Sequence, residues 1–152
     1  MTITEKKINV FSSLRTNVLD DDKDMIALLK EIFALNGLPN VQFYTDSDVF
    51  VEQLDENIHL CIIDQVIKGS ILQGVDVMKI IRGRFPKCQI IFMTGMDDPK
   101  VLKEALRIRP EGYVDKNESQ YITVLVEQVE KCLTEIKKNL EMAIRLENRF
   151  SK

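Results

Sequence analysis

Four apolar residues in a row, Leu60-Cys61-Ile62-Ile63, run straight into a carboxylate, Asp64. A run this short and uniformly apolar fits a strand buried on both faces, as in a parallel sheet covered by helices. Open α/β sheets hold their reactive groups at the carboxyl ends of such strands. After Asp64 the next regular segment begins only beyond a loop ending near Gly74. Asp64 is therefore the best-placed candidate nucleophile in the chain. Taken alone, an apolar strand ending in Asp is common, and a cap or turn role explains it as well. The neighbouring segments decide.

They alternate. Asn17-Val18-Leu19 is a very short strand signal that enters Asp20-Asp21-Asp22-Lys23-Asp24, acids suited to a helix N-terminus. Met25, Leu28, Leu29, Ile32 and Leu35 follow at helical spacing, and Asn36-Gly37 supplies a stop. Val41-Gln42-Phe43-Tyr44 alternates as a second strand, and Asp46 and Ser47 are capping candidates for a helix through Val49, Phe50 and Leu54. The strand ending at Asp64 comes third. Gln73-Gly74 precedes a helix carrying Val75, Val77, Met78, Ile80 and Ile81, and Pro86 closes that region. Cys88 to Met93 reads as a fourth buried strand, ending in Thr94-Gly95; Asp98-Pro99 opens a helix with Val101, Leu102, Ala105 and Leu106 inward. Tyr113-Val114 is a brief fifth strand, followed by Asp115-Lys116, and from Glu118 to Phe150 there is neither Gly nor Pro. Five strand–helix alternations predict an α/β fold, a five-stranded doubly wound parallel sheet with an extended C-terminal helix. Residues 1–15 show no clear period and are read as a leader, 16–130 as the globular domain, and 131–152 as an extension of the last helix.

Composition narrows the class. A chain of 152 residues, 45% hydrophobic and 30% charged, suits one soluble domain. No apolar run approaches the ~18 residues that span a bilayer, and the N-terminus lacks a signal-peptide core. The net charge of -3 argues against nucleic acid as the main partner. Cys61, Cys88 and Cys132 have no metal-like spacing and read as reduced core residues of a cytoplasmic protein.

In a parallel sheet the strand ends share one edge, so Asp20/Asp21, Asp64, Thr94 and Lys116 can converge there. Clustered carboxylates create a hard, oxygen-rich cation site suited to Mg²⁺. A metal and a lysine can neutralise the oxygens of a transferring phosphoryl group, and a hydroxyl can bond one of them. This ordered set resembles the receiver domain of two-component response regulators, the fold of the chemotaxis protein CheY, over roughly residues 16–130. The resemblance implies the strand order 2-1-3-4-5 and makes Asp64 the phospho-acceptor. It implies that Asp20, Asp21, Asp64 and the backbone carbonyl of Val66 hold Mg²⁺, and that Thr94 and Lys116 contact the phosphoryl oxygens. Tyr113, three residues before Lys116, resembles the aromatic switch that acts with Thr94. The triple Asp20-Asp21-Asp22 leaves the register open by one; Asp20-Asp21 is favoured because Asp22 is then free to cap the first helix. The donor would be a sensor histidine kinase or a histidine phosphotransfer protein. His59, the one histidine, stands at a strand entrance and reads as structural.

The chain departs from the family's pattern at three places. Ile67-Lys68 stands where Met-Pro or Leu-Pro is usual, Asp64 to Gly74 is two residues longer than is common, and Asn117 follows Lys116 where a proline often stands. The expected function is a stand-alone receiver whose reactions are self-phosphorylation and slow hydrolysis of its own acyl phosphate, signalling to a protein target the sequence does not name. The odd loop also fits an alternative, a pseudo-receiver that works as an interaction module without phosphate; the complete Asp–Thr–Lys set opposes it. A haloacid-dehalogenase-like phosphatase uses the same residue types with its nucleophile after the first strand, the reverse of the order here.

The terminal helix carries a separate expectation. Ile122, Val126, Val129, Leu133, Ile136, Leu140 and Ala143 step by four and three in alternation, a heptad seam. At 1.5 Å per residue the helix spans ~50 Å, longer than a small domain is wide. Its first half is expected to pack on the sheet and its second half to find a partner, giving a homodimer. The alternative is a helix folding back on its own domain. Five Glu against six Lys/Arg from residue 121 onward leave no basic region for DNA.

Overall fold

Five short segments form strands, and they lie parallel in the order β2-β1-β3-β4-β5. The computed structural model describes residues 11–151. In chain order the elements are β1 (Thr16–Leu19), α1 (Lys23–Leu35), β2 (Val41–Tyr44), α2 (Ser47–Glu52), β3 (Leu60–Ile63), α3 (Gly74–Arg84), β4 (Gln89–Thr94), α4 (Pro99–Ile108), β5 (Gly112–Asp115) and α5 (Tyr121–Phe150). This is the doubly wound sheet that the alternation predicts, with the long helix last.

The period of two explains why β3 is apolar throughout. Leu60 and Ile62 face one layer, with α1 and α5, where Val18, Ile91, Met93 and Val114 join Leu29, Phe33, Leu125, Val129 and Leu133. Cys61 and Ile63 face the other layer, with α2, α3 and α4, where Leu19, Ile90 and Phe92 meet Phe50, Val77, Met78, Ile81 and Ala105. A strand with helices on both faces has no solvent side on which to place a polar residue.

Two helix faces differ from the sequence reading. In α1 the buried residues are Ile26, Leu29 and Phe33, flanked by Met25 and Ile32, while Leu28 is 38% and Leu35 77% exposed. In α4, Ala105 is buried and Leu106 is 65% exposed. α1 carries apolar residues around more than half its circumference, so spacing alone fits two stripes and packing selects the one directed at the sheet; in α4 Leu106 lies at the margin of a single apolar stripe. The segment read as a leader divides as well: residues 1–10 lie outside the described residues, whereas Phe11 and Leu14 are buried in the layer that holds α5.

The sequence reads α5 as two halves, and its last buried residue is Ile136. Beyond it Leu140, Met142, Ile144, Leu146 and Phe150 are all exposed. The helix runs unbroken to Phe150. Among the described residues no helix is long and apolar enough to cross a membrane. All three cysteines are free and buried. The Cys61 and Cys88 sulfurs lie 3.7 Å apart, and their hydrogen bond and full burial push the Cys61 thiol well up.

Candidate functional site

Parallel pairing carries the chain ends of β1, β3 and β5 to one edge, and the ladder continues one step past each. Asp20 N–H donates to Tyr44 O at 3.0 Å, Asp64 N–H to Leu19 O at 3.0 Å, and Lys116 N–H to Thr94 O at 3.1 Å. The backbone thus places Asp20, Asp64 and Lys116 at one edge of the sheet before any side chain acts. Lys116 Nζ then donates to Asp20 Oδ2 at 2.7 Å and to Asp64 Oδ2 at 3.0 Å. One carboxylate oxygen from each of Asp20, Asp21 and Asp64 falls within a 4.8 Å cluster. Asp22 lies elsewhere: it is the N-cap of α1, accepting from the N–H groups of Asp24 and Met25.

The electrostatics suit a cation and a nucleophile. Burial raises the Asp64 carboxyl above its ordinary value; Lys116 opposes this and the Asp20 charge adds to it. Burial works against the Lys116 charge, but the hydrogen bond to Asp20 and the charge of Asp64 outweigh it and raise the ammonium. Asp20 is fully buried, its second oxygen accepting from Asp22 N–H at 2.9 Å. The donor set is all oxygen, which fits a hard divalent cation such as Mg²⁺. A cavity of ≈ 450 Å³ opens over the cluster, and Asp21, Asp64, Val66, Lys68 and Lys116 are among its lining residues.

The other predicted residues are placed as follows. Thr94 ends β4, is buried, and its Oγ1 accepts from Met96 N–H at 3.1 Å. Tyr113 lies outside the cluster on β5, 38% exposed, with its ring 6.0 Å from that of Phe92. Asn117 ties the two loops at this edge, its side-chain amide donating to Gly95 O at 2.9 Å. His59 is structural in geometry: Nδ1 accepts from Arg15 N–H at 3.0 Å, and burial lowers its pKa.

Several residues that shape the site carried no sequence signal as site residues. Gln73 threads the long loop, Oε1 accepting from Ile67 N–H at 2.8 Å and Nε2 donating to Ser70 O at 2.8 Å. Ser47 at the start of α2 holds the same loop, through Ser70 Oγ and Leu72 O. Gln65 accepts from Gly74 N–H on its carbonyl and from Val75 N–H on its side chain, so α3 begins beside Asp64. Gln73 N–H also donates to Asp76 Oδ2 at 2.9 Å at the start of α3, a pairing the sequence reading did not identify.

Residues 17–130 match the response regulator receiver domain. The chain belongs to that family. It is a receiver domain of two-component signalling, a family that accepts phosphoryl groups from histidine kinases or phosphotransfer proteins. A curated relative, a cyclic di-GMP phosphodiesterase of Thermotoga maritima, is 23% identical over 99 residues, which is 65% of this chain and 26% of that protein. The chain therefore spans about a quarter of that relative. Among solved structures, the response regulator DrrB of Thermotoga maritima is 20% identical with a TM-score of 0.67, covering 80% of this chain and 53% of the other. A CheY-like receiver domain protein of Methanospirillum hungatei is 20% identical with a TM-score of 0.68, covering 83% and 98%. Likeness at this identity concerns the fold.

Proposed function

We propose that this receiver accepts a phosphoryl group on Asp64 from a phosphohistidine, in a Mg²⁺-dependent reaction, and signals through altered protein contacts. The observation that carries the reading is the convergence of Asp20, Asp21, Asp64 and Lys116 on one cavity. An Asp64 carboxylate oxygen attacks phosphorus, the phosphorus–nitrogen bond breaks with its electron pair going to the donor imidazole, and an acyl phosphate remains on Asp64. Lys116 already spans Asp20 and Asp64, and in this role its ammonium follows the charge onto the transferred oxygens. Thr94 turns its hydroxyl from Met96 N–H to a phosphoryl oxygen, and Tyr113 packs inward behind it. Asp20, Asp21 and Asp64, with the carbonyl of Val66, would hold Mg²⁺, which when bound supplies positive charge to the phosphoryl oxygens. The beryllofluoride-activated receiver domain of DrrB, 20% identical and sharing the fold, supports carrying this chemistry over.

The exposed apolar residues of the distal half of α5 support a second element of the reading, a homodimer through the terminal helices. The site itself is tested with a small phosphodonor such as acetyl phosphate and Mg²⁺. Wild type should gain one phosphoryl group by mass, and Asp64→Asn should gain none while keeping its fold. Equal labelling of the two would remove Asp64 as the acceptor and leave the interaction-module alternative.

A further inference from the structure

The backbone N–H of Lys68 donates to Asp21 Oδ2 at 3.1 Å, a bond that joins residues 47 apart in sequence. We propose that residue 68 is a positioning residue for the cation site, acting through this amide, and that the bond exists because proline does not stand there. The proposal rests on the acid-pocket reading above.

Asp20 and Asp64 are held in place independently. Asp20 is bonded on both oxygens, by Asp22 N–H and Lys116 Nζ, and Asp64 likewise, by Gln65 N–H and Lys116 Nζ. Asp21 is the least buried of the three acids, and Lys68 N–H holds its carboxylate. A carboxylate that must meet a metal with its neighbours binds more tightly when an outer hydrogen bond fixes its rotation, an effect of 10–100-fold in affinity. Lys68 can supply that bond because its loop is braced. Ile67 is fully buried, Gln73 grips the backbone of Ile67 and Ser70, and Ser47 grips Ser70 and Leu72. Proline, usual at this point in the receivers that the chain resembles, has no N–H to give. The departure at Ile67-Lys68 and the longer loop thus have one joint consequence: a loop amide orients a metal ligand across the pocket.

The amide, not the ammonium, is the agent, and two substitutions separate them. Lys68→Ala keeps the N–H and removes the charge; Lys68→Pro removes the N–H. Calorimetric titration of the full chain with Mg²⁺ should show Lys68→Ala equal to wild type or tighter, and Lys68→Pro weaker by about tenfold. Because proline also constrains the backbone, a second measurement leaves the loop sequence intact. Amide hydrogen exchange at Lys68, followed by NMR without metal, should be about tenfold faster in Asp21→Ala than in wild type, since an exposed loop amide is protected by the bond it makes. The proposal is overturned if Lys68→Pro binds Mg²⁺ like wild type, if Lys68→Ala weakens binding as much as Lys68→Pro, or if the Lys68 amide exchanges alike in wild type and Asp21→Ala. A wild type that takes up no Mg²⁺ overturns the acid-pocket reading itself, and this proposal with it.

Discussion

Gly74 is the first residue of α3, and helix propensity by itself predicts that Gly74→Ala stabilises the protein by up to about 1 kcal/mol. The surroundings predict the opposite. A Cβ at Gly74 would lie 2.1 Å from the carbonyl oxygen of Asp64 and 2.7 Å from the Cα of Gln65. These are backbone atoms, so no rotamer relieves the contact, and α3 must retreat by more than an ångström. Overpacking of this kind costs about 1–3 kcal/mol. The retreat also stretches the bonds from Gly74 N–H and Val75 N–H to Gln65, each worth about 1 kcal/mol net. The sum exceeds the propensity gain by about 2–4 kcal/mol, a fall in Tm of about 4–16 °C for a chain of this length. Gly83→Ala in the same helix is the control, because a Cβ there meets nothing within 4 Å and propensity acts alone. Calorimetric melting should therefore move the two variants in opposite directions. Phosphorylation of Gly74→Ala should also slow, since the crowded carbonyl belongs to Asp64, the proposed acceptor. A Gly74→Ala protein that melts at or above wild type would refute the argument that α3 is seated on Asp64.

Two further outcomes follow from the site. Asp64→Asn in metal-free buffer should melt at or above wild type at neutral pH, because burial raises the folded carboxyl above its unfolded value and ionisation then costs stability. That stability is present below the unfolded pKa and lost as pH rises through the folded one, so the difference should close on acidification; a gap that widens toward acid would contradict it. Val66, exposed on the cavity, and Met96, next to Thr94, are apolar and can neither orient a hydrolytic water nor take its proton, so phospho-Asp64 should be long-lived. Loss of phosphate within seconds from wild type, with Val66→Asn and Met96→Glu no faster, would show that these side chains do not guard the bond.

The centre of the sheet was legible because β3 and β4 are buried on both faces, which leaves short apolar runs; the edge strands β2 and β5 are half-exposed and gave weaker signals. The site edge was legible because β1, β3 and β4 each end at a polar residue, Asp20, Asp64 and Thr94, that stays buried where the apolar run stops. Helix faces were harder. Leu28 and Leu35 fit a helical stripe as well as Ile26 and Phe33 do, and only the position of the sheet chooses between them. Least legible was the loop from Gln65 to Gln73. Its geometry depends on side chains bonding backbone across the fold, Ser47 to Leu72 and Lys68 N–H to Asp21, and such bonds leave no period in the sequence.

The terminal helix shows what periodicity does and does not report. A seam from Ile122 to Ala143 says that one face of α5 is covered, and says nothing of what covers it. In the structure the seam has two fates. Val129, Leu133 and Ile136 are buried against the sheet layer, together with Cys132, whose thiol burial pushes up to about 11. Leu140 is 42% exposed, and Met142, Ile144, Leu146 and Phe150 extend the apolar surface beyond the seam. A cut after Val129, which the seam alone suggests as a way to a monomer, would therefore remove three core residues and unfold part of what it is meant to test. Large-to-small changes at such positions cost about 2–5 kcal/mol each, so that truncation should melt far below wild type. A cut after Lys138 spares the core and removes the exposed residues. If the distal helices pair, the full chain should sediment as a dimer and the chain ending at Lys138 as a monomer with nearly the same Tm. A full chain that sediments as a monomer at high concentration would assign the exposed apolar face to something other than a second copy.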